Sequence, residues 1–197
     1  TNTLYETLFD STVHSDPDAG GLINYSYLSG ENITKIQEGR PLFVRTPNSK
    51  MNLANFFLTQ LYAAFAPLKI GMDILLNEEH VQTDVMVAQG GLFGTPVIGQ
   101  QVLANALNIP ITIMNTASEG GPWGMAVLAK YAETYGKESL ADYLDEKVFK
   151  NPESMTLTPE PAGVKGYESF ITRYQAGLPV EALAGDDIKE REEKGSK

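Results

Sequence analysis

One stretch, residues 84–135, constrains the fold more than any other part of this 197-residue chain. Short apolar runs at residues 85–88 and 109–114 predict two β-strands, and each is followed by a predicted helix. A strand–helix–strand unit with short loops predicts two parallel strands of one sheet, joined by a right-handed crossover. We therefore expect an α/β fold rather than a helical bundle.

A glycine-rich loop follows each of these two predicted strands. The first loop carries Gly90 and Gly91, and the second carries Glu119, Gly120 and Gly121. Parallel strands end at the same edge of a sheet, where open α/β sheets bind their ligands. Glycine allows a ligand to approach the backbone closely, and the start of the following helix attracts phosphate. Either loop alone is also explained by a tight turn or by helix capping, but the two together favour a nucleotide site.

Other common signatures of ligand and metal sites are absent from the sequence. It has no Gly-x-x-x-x-Gly-Lys-Ser/Thr phosphate loop, and its glycines do not have the spacing of a dinucleotide-binding fold. His14 and His80 are the only histidines, and neither has a partner at ligand spacing. We therefore predict no metal site built from side chains, and expect any nucleotide to be held by the shape of the backbone.

Hydrophobic periodicity predicts the remaining elements. Helices are expected at residues 3–13, 51–76, 138–149 and 166–176, with strands at 22–28 and 42–46 and a loop punctuated by prolines between the last two helices. Pro67 is expected to kink or split the long helix. The predicted apolar face of that helix consists of Leu53, Phe57, Leu61, Ala64, Leu68, Met72 and Leu75, and that of the last helix consists of Tyr167, Phe170, Ile171 and Tyr174.

Charge and composition exclude several classes of protein. The net charge of −10 argues against a nucleic-acid partner, because an acidic chain repels phosphodiesters. No apolar run approaches the ~18 residues of a membrane span, so no membrane partner is expected. The chain has no cysteine and its first residues do not resemble a signal peptide, which suits a cytoplasmic protein.

Three blocks of the sequence resemble the FGGY family of carbohydrate kinases. Residues 19–31, AGGLINYSYLSGE, resemble the family pattern GxxGLxxxPYLSGER. Gly90 and Gly91 with residues 104–111, ANALNIPI, resemble the pattern GG…ADVLGRPV, and residues 118–129, SEGGPWGMAVLA, resemble xEGGALGAALLA. The blocks occur in the order of the family, and the closest likeness is to its xylulokinase-like members.

The resemblance implies a ribonuclease H-like lobe of the actin-like ATPases, with a mixed sheet and helices on both faces. It implies that residues 1–185 are the C-terminal kinase lobe, followed by an acidic tail at 186–197. It further implies that ATP and Mg²⁺ are the cofactors, with Gly90 and Gly91 facing the nucleotide. Glu119, Gly120 and Gly121 would then border the adenosine.

The resemblance also implies that part of the kinase lies outside this chain. The catalytic aspartate of the family lies upstream of the LSGE block, and Asp10, Asp16 and Asp18 lack its glycine-rich context, so we assign no catalytic residue here. The sugar-binding N-terminal lobe and the first strands of the second lobe are not represented. We therefore expect an exposed apolar sheet edge and self-association.

Three functions are compatible with the sequence. The first is ATP binding for phosphorylation of a sugar such as a pentulose, and the second is an actin-like nucleotide-binding module without phosphotransfer. The third is a plain α/β binding domain whose glycine loops are only turns. The oligomeric state stays open, with a homodimer as one alternative. The family usually has an arginine at the position of Asn32, which leaves the identity of the sugar open.

Overall fold

Two units divide the computed structural model, which describes residues 2–94, 97–114, 120–134, 136–150 and 153–189. Unit 1 combines Thr1–Gln82 with Pro161–Lys197, and unit 2 is Thr83–Glu160. Unit 1 therefore contains both ends of the chain, and unit 2 is a continuous segment between its two parts. Within the described residues, no helix is long and apolar enough to cross a membrane.

Unit 1 is built from three long or medium helices and a two-stranded sheet. Its elements are α1 (Asn2–Ser11), β1 (Ile23–Tyr25), β2 (Leu42–Val44), α2 (Leu53–Asp73) and α6 (Pro161–Asp187). The strands pair antiparallel, with Tyr25 opposite Leu42. Asn52 caps α2, because its side chain accepts a hydrogen bond from the Asn55 backbone N–H. Pro67 lies inside α2 without dividing it, and α2 continues into a π-helical turn over Ile74–Glu78.

Aromatic side chains fill the core of unit 1. The rings of Tyr62 and Tyr167 lie 4.8 Å apart between centroids, and those of Tyr25 and Tyr174 lie 4.7 Å apart. Such tilted pairs stabilise a core beyond the area that they bury. The predicted inner face of the last helix is confirmed, since Tyr167, Phe170, Ile171 and Tyr174 are all buried.

The predicted apolar face of α2 is largely wrong. Of its seven members only Leu61 is buried, while Leu53 and Leu68 are exposed. The face that packs inward is rotated, because it includes the polar residues Asn55 and Thr59. The buried residues of the helix are Asn55, Leu58, Thr59, Leu61, Tyr62, Ala63, Phe65 and Ala66.

Unit 2 contains the strand–helix–strand–helix segment that the sequence predicted. Its elements are β3 (Met86–Ala88), α3 (Ile98–Leu107), β4 (Ile111–Met114), α4 (Gly120–Ala132), α5 (Leu140–Tyr143) and β5 (Ser154–Leu157). Strands β3 and β4 are parallel, with Met86 opposite Ile111, which confirms the predicted parallel pairing. The three strands form one sheet in the order β3-β4-β5.

Strand β5 and helix α6 differ most from the sequence-based expectation. Strand β5 lies where only a loop was predicted, and it pairs antiparallel with β4. Helix α6 begins at Pro161 and ends at Asp187, far beyond the predicted 166–176, and it continues through Pro179. A proline at the first position of a helix costs little, because that residue needs no intrahelical N–H bond. The first helical residue of α3 is Ile98, and Thr95 and Pro96, which were expected to open it, lie outside the described residues.

Candidate functional site

The ends of β3 and β4 define the candidate site. The two strands are parallel and adjacent, so β3 ends at Ala88 and β4 at Met114 on the same edge of the sheet. The segment after β3 leads into α3, and the segment after β4 leads into α4. The sheet therefore brings together two chain segments that are about thirty residues apart in sequence.

The two glycine-rich loops are in contact. Gly120 is the first residue of α4, and the side chain of Gln89 lies directly against it. A methyl group added to Gly120 would come within 3.0 Å of the Gln89 Cβ and closer still to its Oε1. Only glycine fits at position 120 without a shift of Gln89. Gln89 after β3 and Gly120 at the start of α4 therefore belong to one surface, which agrees with the expectation that loops after parallel strands can be neighbours.

The surface on the other glycines is open. Gly90 has a φ of +130°, a conformation that residues with a Cβ rarely adopt. A 3₁₀ turn follows over Gly91–Gly94, and the Phe93 N–H donates to the Gly90 carbonyl at 3.0 Å. Among the described residues, no atom lies within 4 Å of a Cβ added at Gly90, Gly91 or Gly121. The bare backbone at these three positions borders space that a ligand can enter.

Helix α4 supplies the second wall of this surface. It spans 13 residues, and the N–H groups of its first turn have no partner inside the helix. Such an end favours anionic groups. Glu119 precedes this end and lies outside the described residues, so its position in the site stays a prediction. Trp123 packs against Phe149, with 5.7 Å between ring centroids, and this contact attaches α4 to the segment that follows α5.

A buried glutamine connects α3 to the strands that end at the site. The Gln100 side chain is fully buried in α3, and its amide donates to the Ile111 carbonyl at 2.7 Å and to the Met155 carbonyl at 2.9 Å. It thereby ties α3 to both β4 and β5. Hydrophobic periodicity indicates no role for Gln100 or Gln89, since it carries no signal for a polar residue that packs inward.

Metal ligands do not gather at this surface. No group of three or more His, Asp or Glu side chains in the described part of the chain is arranged to hold a metal ion. A divalent cation would therefore need ligands from a nucleotide or from residues beyond those described.

Comparison with protein families identifies one match. The model of the C-terminal domain of the FGGY family of carbohydrate kinases matches residues 2–133, which include both glycine-rich loops. No curated protein sequence matches the chain.

Solved structures of sugar kinases share the fold. Gluconate kinase from Lactobacillus acidophilus superposes with a TM-score of 0.70 at 19% identity, over 92% of this chain and 35% of the kinase. Xylulose kinase from Rhodospirillum rubrum gives 0.63 at 15% identity, over 91% of this chain and 34% of the kinase. Plasmodium falciparum glycerol kinase with ADP superposes with a TM-score of 0.61 at 14% identity, over 89% of this chain and 33% of the kinase. The chain thus spans about a third of the length of these kinases.

Proposed function

From the premise that the chain belongs to the FGGY family of carbohydrate kinases, we propose that it is the ATP-binding C-terminal part of a sugar kinase. The complete enzyme would transfer the γ-phosphate of ATP to a hydroxyl of a pentulose such as xylulose. The observation that carries the proposal is the contact between Gln89 and Gly120, because it joins two glycine-rich loops into one surface at the ends of parallel strands.

The residues present fit a nucleotide. Gly90 and Gly91 offer a backbone without side chains that the phosphates or ribose can approach, and Gly121 offers a flat surface for the adenosine. Glu119 and Gly120 complete the border of the adenosine in this proposal. When bound, ATP with Mg²⁺ supplies the phosphoryl group and the charge that neutralises it.

The role of this chain in the reaction is to position the nucleotide. Phosphoryl transfer depends on alignment of the donor and acceptor and on stabilisation of charge. In the proposal, the first turn of α4 provides backbone N–H groups for anionic oxygens. The base that accepts the proton of the sugar hydroxyl is proposed to be an aspartate upstream of this chain, in a ribonuclease H-like arrangement of two lobes.

Calorimetric titration with ATP and Mg²⁺ tests the proposed site. We expect Gly91→Leu and Gly121→Leu each to weaken binding about tenfold or more, because the new side chains would occupy the space that the nucleotide needs. Neither change meets an atom within 4 Å at the Cβ, so the fold is expected to tolerate both. Gly124→Leu is the matched control, since it is equally unobstructed on the same helix and lies about one turn further on.

The outcomes separate the candidate functions. Wild-type affinity in Gly91→Leu and Gly121→Leu would place the nucleotide elsewhere. If the folded chain does not bind ATP at all, the same titration on a full-length kinase that contains this domain decides whether both lobes are needed. If that full-length protein binds ATP but phosphorylates none of a panel of pentuloses, gluconate and glycerol, the nucleotide-binding module without phosphotransfer is the better description.

A further inference from the structure

Unit 1 contains a polar cleft of about 330 Å³ that the proposed function does not use. Three chain segments line it: the loop before β1, the loop between β2 and α2, and the middle of α6. This volume lies at the lower end of the range typical of small-molecule sites. We define the polar cleft by Asp16, Asp18, Asn48, Ser49, Lys50 and Arg173.

The backbone of the cleft is held in an uncommon conformation. Three consecutive residues have positive φ, with values of 57° at Ala19, 62° at Gly20 and 75° at Gly21. The Gly20 carbonyl accepts from the Lys50 N–H at 2.8 Å, and the Gly20 N–H donates to Asp18 Oδ1 at 3.1 Å. A left-handed alanine costs conformational energy that the surrounding contacts must offset. The two loops are thereby fixed against each other.

Asn55 connects helix α2 to the loop before β1 and to the loop between β2 and α2. It is fully buried, and its amide accepts from the Asp16 N–H at 2.8 Å and donates to Asp16 Oδ2 and to the Lys50 carbonyl, each at 2.9 Å. Buried polar groups of this kind rigidify a site when all their hydrogen bonds are made. The cleft is therefore formed in advance of any ligand.

The charges that line the cleft compensate one another. Lys50 Nζ lies 2.9 Å from Asp16 Oδ1, and Arg173 Nη1 lies 3.2 Å from Asp18 Oδ2. The hydrogen bond from Lys50 lowers the pKa of Asp16, so that both partners stay charged at neutral pH. Because two cations and two anions are paired, a charged ligand would be attracted by the lining charges of opposite sign and repelled by those of its own sign.

Hydrogen-bonding capacity remains on both the donor and the acceptor side. The Arg173 Nε–H is buried and has no partner among the described residues. The Lys50 ammonium has three donors and is mostly exposed, while carboxylate oxygens accept more than one hydrogen bond. A hydroxyl group both donates and accepts, so a row of hydroxyls matches such a mixed lining better than a phosphate does.

We propose that the polar cleft binds a small neutral polyhydroxylated molecule, of the size of a pentitol or a monosaccharide. Vicinal hydroxyls would donate to the carboxylates of Asp16 and Asp18 and accept from Lys50 and from the unpartnered Nε–H of Arg173. This site lies within unit 1, whereas the glycine loops proposed for ATP lie within unit 2. The proposal does not depend on kinase activity.

The test is an NMR titration of the ¹⁵N-labelled 197-residue chain with xylitol, and separately with inorganic phosphate. We expect xylitol to shift the amides of Gly20, Gly21 and Ser49 in a saturable way, with a dissociation constant in the millimolar range. Arg173→Gln is expected to raise that constant about tenfold, because it removes a charged donor. Arg45→Gln is the matched control, since Arg45 is an exposed arginine that does not line the cleft.

A second variant fills the cleft without removing a charge. Ser49→Phe is expected to abolish the xylitol-induced shifts while the four charged side chains stay in place, and a thermal melt shows whether each variant is folded. The proposal is overturned if the folded wild type shows no saturable shift with xylitol. It is equally overturned if phosphate binds more tightly than xylitol, or if xylitol binds Arg173→Gln and Ser49→Phe as tightly as the wild type.

Discussion

Glu181 is the side chain whose burial has the clearest effect on stability. It is fully buried in α6, where its Oε1 accepts a hydrogen bond from the Arg40 backbone N–H at 2.7 Å. Its Oε2 has no partner among the described residues. Burial raises the pKa of Glu181 above its ordinary value of 4.5, although the Arg40 N–H bond and the Arg40 charge act in the opposite direction.

The raised pKa of Glu181 predicts a pH-dependent loss of stability. Between the ordinary and the raised pKa, the folded chain holds a proton that the unfolded chain releases, so stability falls as the pH rises through that window and stays lower above it. Glu181→Gln keeps the acceptor for the Arg40 N–H but cannot ionise. We expect this variant to have a melting temperature a few degrees above the wild type at pH 8, about 2–4 °C for each kcal/mol. At pH 4 this advantage is expected to disappear.

The control for this prediction lies on the same helix. Glu168 is exposed in α6, and Glu168→Gln is expected to leave the dependence of melting temperature on pH unchanged. Melting followed by circular dichroism from pH 4 to pH 8 compares the two variants with the wild type. If the melting temperature of Glu181→Gln depends on pH in the same way as that of the wild type, Glu181 is not the group that causes the loss of stability at high pH.

At the scale of elements, glycines determine how closely α6 packs. A Cβ at Gly166 would collide with the Pro17 carbonyl oxygen, and one at Gly185 would collide with the Glu38 carbonyl oxygen. A Cβ at Gly177 would meet the hydroxyl of Tyr25. The helix therefore approaches neighbouring backbone at two points and a buried ring at a third, which no side chain larger than a hydrogen atom permits.

Gly166→Ala tests this close approach. Alanine is the better helix former by about 1 kcal/mol, yet we expect the variant to be destabilised by about 1–3 kcal/mol, because backbone atoms must move to admit the methyl group. Gly124→Ala in α4 is the matched control, since no atom lies within 4 Å of its added Cβ, and it is expected to be neutral or stabilising. Urea unfolding measures the free energy of unfolding of both variants. Equal stability of the two variants would contradict the packing argument.

Elements with a strong local pattern could be predicted from the sequence. The apolar runs that became β3 and β4 and the aromatic stripe of α6 are examples, because a local apolar pattern indicates each of them, although Val87 of β3 stays exposed. Strand β5 could not be predicted in this way. Its residues are mostly exposed and lie near Pro159 and Pro161, and the strand is defined by its pairing with β4, in which Thr112 lies opposite Thr156.

The candidate site was predictable in outline but not in its contacts. The order of strands and glycine loops predicted that the two loops could be neighbours, since parallel strands end at the same edge of a sheet, and the contact between Gln89 and Gly120 agrees with this. The Gln89 side chain that fills the gap between the loops, and the polar face that Asn55 and Thr59 give to α2, depend on tertiary packing. Patterns of apolar residues carry no information about such buried polar groups.

For the whole molecule, the β3 edge of the unit 2 sheet is a strand edge that carries exposed apolar side chains. Strand β3 is one of the two terminal strands in the order β3-β4-β5, and no described residue pairs with its other side. Val85 and Val87 are 48% and 52% exposed along this edge. An unpaired strand edge with apolar side chains is a template for pairing with another chain. We therefore expect the self-association predicted from the sequence to occur at this edge.

Val87→Lys tests whether this edge drives self-association. We expect the sedimentation coefficient of the wild-type chain to rise with concentration and that of Val87→Lys to rise less, because a lysine on an edge strand opposes pairing with a second strand. Val180→Lys is the matched control, as Val180 is 56% exposed on α6 and lies outside the sheet. A wild type that sediments as a monomer at every concentration would contradict the prediction. An equal effect of both variants would show that charge, rather than the edge of β3, controls association.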